Sequence, residues 1–197
     1  MKIWILRQID GGFKKDIIYD IKDIKILSGD IVLLFGSDFK YYSYDNLSIS
    51  DKKRLKHYPN LADKIEFKIS RSLKAAFEKS YINIDKVPLY YSISHSNNHA
   101  ILAISTKFIG VDLELIKNRN FDIHMEYCFS NHQIFRVENS DNKLIEFYKI
   151  WTLKEAQIKL LNLGFYAIDK VGDEDLMNYS DIIESGDMKF IYTAVTF

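Results

Sequence analysis

Hydrophobic and polar positions along the 197-residue chain change period several times, and each change marks an element. The opening run MKIWILRQI predicts a first strand, ended by Gly11-Gly12. IVLLFGS (31–37) is a second apolar stretch, a strand or a buried segment. Asp51 to Tyr81 reads mostly as helix with a break at Pro59, whose ring cannot sit in a helix interior. In its second part Ile65, Ile69, Leu73, Ala76 and Phe77 recur at helical spacing, so one face is turned to a core. After Pro88, LYYSISH (89–95) and HAILAIS (99–105) are two β-rich runs around Ser96-Asn97-Asn98, a tight-turn signal because asparagine tolerates positive φ. KFIGVDLELI (107–116) is a further strand, Ile123–Glu138 and Leu144–Leu163 are helices, and MKFIYTAVTF closes the chain as a strand. Gly164 follows the last helix at the position where a left-handed residue is usual.

This order, strand, helix, strands in each half, predicts an α+β protein of two similar α/β subdomains, 1–105 and 106–197. Hydrophobic residues make up 47% of the chain, enough for a stable core, and no low-complexity segment or linker interrupts it. The single cysteine, Cys128, excludes a disulfide framework or a cysteine-based zinc site within the chain. No run of about 18 apolar residues predicts a membrane span. The N-terminus is interrupted by charge too early for a signal peptide, so the expected location is the cytoplasm, without membrane partners. A formal net charge of zero argues against a general nucleic-acid binder. The charge is nonetheless uneven. Residues 51–79 hold nine Lys or Arg against four acids, and residues 169–187 hold seven acids against one lysine. The basic stretch is either a solvated helix face or a receiver of phosphates.

Three short stretches carry candidate chemistry. In IGVDLE (109–114), Asp112 and Glu114 share one face of a strand, about 7 Å apart, a spacing that suits two carboxylates on one hard cation. An edge strand with a solvated acidic face has the same pattern. In WTLKEAQIK (151–159), Trp151, Glu155 and Lys159 form one stripe of a helix. Glu155 and Lys159 are either an ordinary surface ion pair or a carboxylate that takes a metal or proton beside a lysine that neutralises phosphate. In SISHS (92–96), His95 lies at a strand end between the hydroxyls of Ser94 and Ser96 and is either a structural hydrogen-bonder or part of a phosphate site.

Taken in order, ISHS at 93–96, IGVDLE at 109–114, Phe129-Ser130 and WTLKEAQIK at 151–159 resemble the Sfp-type 4′-phosphopantetheinyl transferases. That family shows N-I-S-H-S, then (I/V)-G-(I/V)-D-(I/V)-E, then F-(S/F)-x-x-E, then W-(T/S)-x-K-E-(A/S)-x-x-K. The resemblance covers residues 60–197 and is strongest over 91–160. It implies two subdomains related by a pseudo-twofold axis with the active site between them, in a monomer. It also implies transfer of the phosphopantetheine arm of coenzyme A to a serine of an apo acyl, aryl or peptidyl carrier protein, with release of 3′,5′-ADP. Asp112, Glu114 and Glu155 would hold Mg²⁺, with Mn²⁺ able to take its place. Glu155 would be the base and Lys159 would neutralise the pyrophosphate. Lys154, Ser94 and His95 would contact coenzyme A, and Lys64, Lys68 or Arg71 its 3′-phosphate.

The chain departs from the pattern at three places. Only Lys86-Val87-Pro88 stands where a G-K-P segment precedes the first motif. Gln133 replaces the acid of F-S-x-x-E, and Asn97 replaces a glycine. These departures leave open a diverged relative that binds coenzyme A or a carrier protein without transfer. An unrelated Mg²⁺-dependent phosphate enzyme is a third reading. Phe121, Ile123, Met125, Tyr127, Phe129, Ile134 and Phe135 are core residues or the lining of a carrier-docking groove.

Overall fold

The computed structural model describes residues 1–9, 12–83, 86–172 and 176–197. Gly11, expected to help end the first strand, and the acids at 173–175 lie outside them. The chain divides into two compact units, Met1–Lys107 and Phe108–Phe197. Both mix strands and helices, so the α+β class expected from the sequence holds.

The first unit contains β1 (Lys2–Ile9), β2 (Gly12–Ile18), β3 (Lys25–Ile26), β4 (Ile31–Gly36), β5 (Ile82–Asn83), β6 (Tyr90–Ser96) and β7 (His99–Ser105), with helices α1 (Ile49–His57) and α2 (Ile65–Glu78). One antiparallel sheet runs β2-β1-β4-β7-β6. Strands β4 and β7 of its interior are buried at every position, which is why they read as apolar runs. Ile69, Leu73 and Phe77 of α2 pack on Ile5, Val32, Leu34, Leu102 and Ile104 of the sheet. Ile65, expected on that face, is instead exposed at the first turn. Pro59 ends α1 as expected and opens a 3-10 turn over Pro59–Asp63. Asn97 (φ 47°) and Asn98 (φ 57°) make the two-residue turn between β6 and β7, as their type requires.

The second unit contains β8 (Ile109–Leu115), α3 (Asp122–Cys128), α4 (Asn131–Glu138), α5 (Lys143–Leu160), β9 (Met177–Ser185) and β10 (Met188–Thr196). The strands form an antiparallel sheet in the order β8-β10-β9, and α5 lies across one face of it. Two expectations are corrected here. The helix expected over 123–138 is broken at Phe129, whose extended backbone (ψ 146°) hands over to Ser130, and Ser130 and Gln133 cap α4 reciprocally. The left-handed residue after α5 is Asn162 (φ 53°), not Gly164. Asn162 N–H donates to the Lys159 carbonyl and Leu163 N–H to the Ile158 carbonyl, the Schellman pattern completed by an asparagine. Strands β2 and β9, and the two-residue strands β3 and β5, are not among the elements that the sequence predicts.

Candidate active site

β8 presents alternate residues to α5. An added Cβ on Gly110 would stand 1.9 Å from the Ala156 carbonyl oxygen, so only glycine lets the helix axis come this close to the strand. Close approach brings the next residue of that face, Asp112, against Lys159: Lys159 Nζ donates to Asp112 Oδ1 at 2.7 Å and to the Val111 carbonyl at 3.0 Å. Thr193 of β10, paired with Asp112 across the ladder, fixes the same helix through a 2.7 Å hydroxyl contact with Thr152, and a second 2.7 Å contact reaches Ser180 on β9. Helix and sheet are thereby pinned one turn from the acids.

Asp112, Glu114 and Glu155 converge on one point. One carboxylate oxygen from each lies within 4.8 Å of the others. Asp112 is 1% exposed, which removes the reading of a solvated acidic face. Its carboxylate is taken out of water against the Glu155 carboxyl, a cost that a cation or a proton between them would offset. Burial, followed by the Asp112 charge, pushes the Glu155 carboxyl up to about 8; Lys159 pulls the other way, and Glu114 adds to the rise. Three carboxylates around one ammonium leave an excess of negative charge and oxygen donors only, a set that fits a hard divalent cation. Lys159 is therefore not the helix-surface partner of Glu155 but a cross-link from α5 to β8.

Lys154 goes elsewhere. It is fully buried, and its ammonium donates to Gln133 Oε1 at 2.8 Å and to the Val171 carbonyl, 5.7 Å from the centre of the Phe129 ring. Gln133, the residue that replaces the family's acid, is equally buried and also accepts from Ser130 N–H at 3.0 Å. Gly172 closes this group. A Cβ there would stand 2.7 Å from both Gln133 Nε2 and Lys154 Cγ, and its N–H donates to Gln157 Oε1. Gln157 and Gly172 were not singled out from the sequence, and Gln133 was noted only for replacing an acid, although the Ser130-x-x-Gln133 spacing is a readable capping signal.

The remaining predicted residues belong to the first unit. Ser94 is buried on β6 and His95 is exposed beside it. Lys64 caps α2 and is exposed, and Lys68 is half-buried on the same helix. Arg71 is engaged: its Nε donates to Asp51 Oδ1 at 3.0 Å, and its guanidinium lies 4.5 Å from the Phe67 ring centre. Arg71 lines a cavity of about 210 Å³ together with Lys74, Ser48, Tyr41 and Asn46. Lys74 had not been singled out.

Residues 108–179 match the family model of the 4′-phosphopantetheinyl transferase superfamily. The match lies within the second unit, and the chain is similar to enzymes of that name. It is 29% identical over 94 residues to the 4′-phosphopantetheinyl transferase gsp of Aneurinibacillus migulanus, covering 47% of this chain and 38% of the relative. It is 31% identical over 77 residues to the 4′-phosphopantetheinyl transferase of Bacillus subtilis, covering 39% and 34%. The 4′-phosphopantetheinyl transferase AcpT of Salmonella typhi is 34% identical over 76 residues, covering 36% and 40%. The matched stretch spans between a third and two fifths of each of these relatives. Among the described residues no helix is long and apolar enough to cross a membrane.

Proposed function

We propose that this chain transfers the 4′-phosphopantetheine arm of coenzyme A to a serine of an apo acyl or peptidyl carrier protein. The observation that carries the proposal is the convergence of Asp112, Glu114 and Glu155 within 4.8 Å, with Lys159 bonded into the same cluster. Asp112, Glu114 and Glu155 would hold Mg²⁺, or Mn²⁺, which when bound offsets pyrophosphate charge and aligns it. The carrier serine oxygen forms a bond to the phosphorus nearer the pantetheine. The bridging oxygen bond on the other side of that phosphorus breaks, and its electron pair leaves with 3′,5′-ADP. The hydroxyl proton goes to Glu155. Lys159, held by Asp112 and the Val111 carbonyl, keeps a fixed positive charge where negative charge builds on the leaving group. Such chemistry needs alignment and neutralisation more than covalent help, and rigid side chains on a strand and a long helix supply both.

Ser94, His95 and Arg71 contact the nucleotide phosphates in this proposal, with Lys64 and Lys68 further candidates for the 3′-phosphate. Lys154 supports the fold beside Glu155 rather than touching coenzyme A, because its ammonium is buried. The expected setting is a cytoplasmic monomer. The test is incubation with coenzyme A, Mg²⁺ and a panel of apo carrier proteins. A carrier mass increase of one phosphopantetheine arm is expected. Calorimetric binding of coenzyme A or a carrier with no mass change on any of them would instead establish a binding protein that does not transfer.

A further inference from the structure

Helix α5 is tied to the sheet on both sides of Glu155. Asp112 of β8, Thr193 of β10 and Ser180 of β9 are direct neighbours across the ladder, so their side chains form one row on the face that α5 covers. Asp112 accepts from Lys159 at 2.7 Å, and the Thr193 hydroxyl meets that of Thr152 at 2.7 Å. Residues 152 and 159 of α5 are two helical turns apart, about 10 Å, and Glu155 stands between them. Lys159 has a second duty, because its ammonium also meets the leaving group in the proposed transfer. Thr193 and Thr152 have none: both are fully buried, and their hydroxyls meet each other, Ser180 and the carbonyls of Tyr148 and Lys149.

The protons in this row have one arrangement. Thr152 Oγ1 lies 2.9 Å from the Tyr148 carbonyl one turn earlier, and a carbonyl only accepts, so Thr152 donates there. The contact between Thr152 and Thr193 is then a bond that Thr193 donates. A hydroxyl has a single proton, so the 2.7 Å contact between Thr193 and Ser180 is donated by Ser180. The bond from sheet to helix is therefore made by the Thr193 proton. Ser180 stands behind it, half-buried, where water can take over its proton.

We propose that Thr193 is a positioning residue for the acidic cluster: through Thr152 it holds Glu155 at the separation from Asp112 and Glu114 at which the three carboxylates share one cation. The inference rests on the reading of that cluster as a cation site. Without the Thr193 hydroxyl, the polar tie left between this stretch of α5 and the row is Lys159, the side chain that the chemistry also uses. Residues that touch no metal but fix the carboxylates that do commonly change metal affinity by about ten- to a hundredfold.

The test is calorimetric titration of Mg²⁺ into the full chain and four variants, with no carrier protein or coenzyme A present. Thr193→Val fills the same space without the hydroxyl and should bind Mg²⁺ about tenfold or more weakly. Its metal-free melting midpoint should stay near that of the parent, because Thr152 keeps its bond to Tyr148 and Ser180 turns to water. Thr193→Ser returns the hydroxyl and should recover most of the affinity. Ser180→Ala should bind Mg²⁺ as the parent does, because the Thr193 proton still reaches Thr152. Thr152→Val removes the other half of the same bond and decides the point should Thr193→Val fail to fold; its affinity should fall to the same level. Equal binding by the parent and both valine variants overturns the proposal. So does a loss in Ser180→Ala as large as in Thr193→Val, or a loss that Thr193→Ser does not recover. A parent chain that binds no Mg²⁺ is a different failure: it ends the cation reading of the cluster, and the proposal with it.

Discussion

The second unit's acidic cluster and the first unit's Asp51–Arg71 pair use the same kinds of side chain to opposite ends. Asp51 is one carboxylate matched to one guanidinium, with Ser48 donating to its second oxygen at 2.8 Å. Burial raises its proton affinity, but Arg71 and Ser48 outweigh that and hold its carboxyl below the ordinary value. Asp112, Glu114 and Glu155 share a single lysine, and Glu155 is driven far above the ordinary range. A balanced pair is what a fold uses to hold itself together. An unbalanced set opposes folding and persists where it has a cation or a reaction to serve.

The contrast is tested most sharply at Glu155. Glu155→Gln keeps the shape of the side chain and removes the charge. Transfer to a carrier protein should fall about a thousandfold or more, read as the rate of carrier mass gain. Thermal stability without metal should hold or rise, because folding no longer has to protonate or desolvate a carboxylate there. A variant that lost stability along with activity would make Glu155 a member of a balanced network and erase the distinction.

Mg²⁺ should stabilise the second unit, by about 2.7 kcal/mol at a hundred times its dissociation constant, with no such gain in Glu155→Gln. The metal-free protein carries a pH dependence with a definite sign. Glu155 binds its proton more tightly folded than unfolded. Its contribution is complete below the ordinary glutamate range and is lost as pH rises through about 8. Unfolding melts across that window should show falling stability without Mg²⁺ and a flatter profile with it.

At the balanced site the expected loss is one of stability, with the acidic cluster untouched. Asp51→Ala leaves Arg71 half-buried without its carboxylate and should cost about 2 kcal/mol in urea unfolding, while the Mg²⁺-dependent shift survives unchanged.

Much of the acidic cluster was legible in the sequence, for local reasons, and the Asp51–Arg71 pair was not. Alternation in IGVDLE and the four-residue stripe of WTLKEAQIK are geometric statements, and the structure places Asp112, Glu114 and Glu155 together accordingly. The Asn97-Asn98 turn is legible because few residues accept its backbone. What stayed hidden depends on contacts distant in sequence. Lys159 pairs with Asp112, 47 residues away, in preference to the neighbour that i, i+4 spacing offers. Lys154 follows Glu155's neighbourhood in sequence but diverges from it by about 100° around the helix, which carries its ammonium into the core. Strand β2 was missed because Lys14, Lys15 and Asp16 break its alternation; Asp16 is there to bind Arg7 at 2.6 Å across the hairpin. Strand β9 was hidden by Asp181 and Glu184, which a strand paired on one edge tolerates.

The smallest expected effect separates the two sites by sign alone. Asp51 binds its proton less tightly folded than unfolded, so its contribution is present above about pH 4, the ordinary aspartate value, and is lost as pH falls below it. Acid unfolding of Asp51→Asn should therefore begin from a lower stability and fall less steeply over that limb than the parent. The Glu155→Gln profile should parallel the parent there and depart from it between the ordinary glutamate range and about pH 8. Two carboxylates in one chain would then give opposite slopes. The slope below about pH 4 would belong to the pair that holds the fold and the slope above it to the cluster that a cation would complete. A common slope for both variants would mean that Asp51 and Glu155 answer to the same surroundings, and the division between a balanced and an unbalanced site would fail.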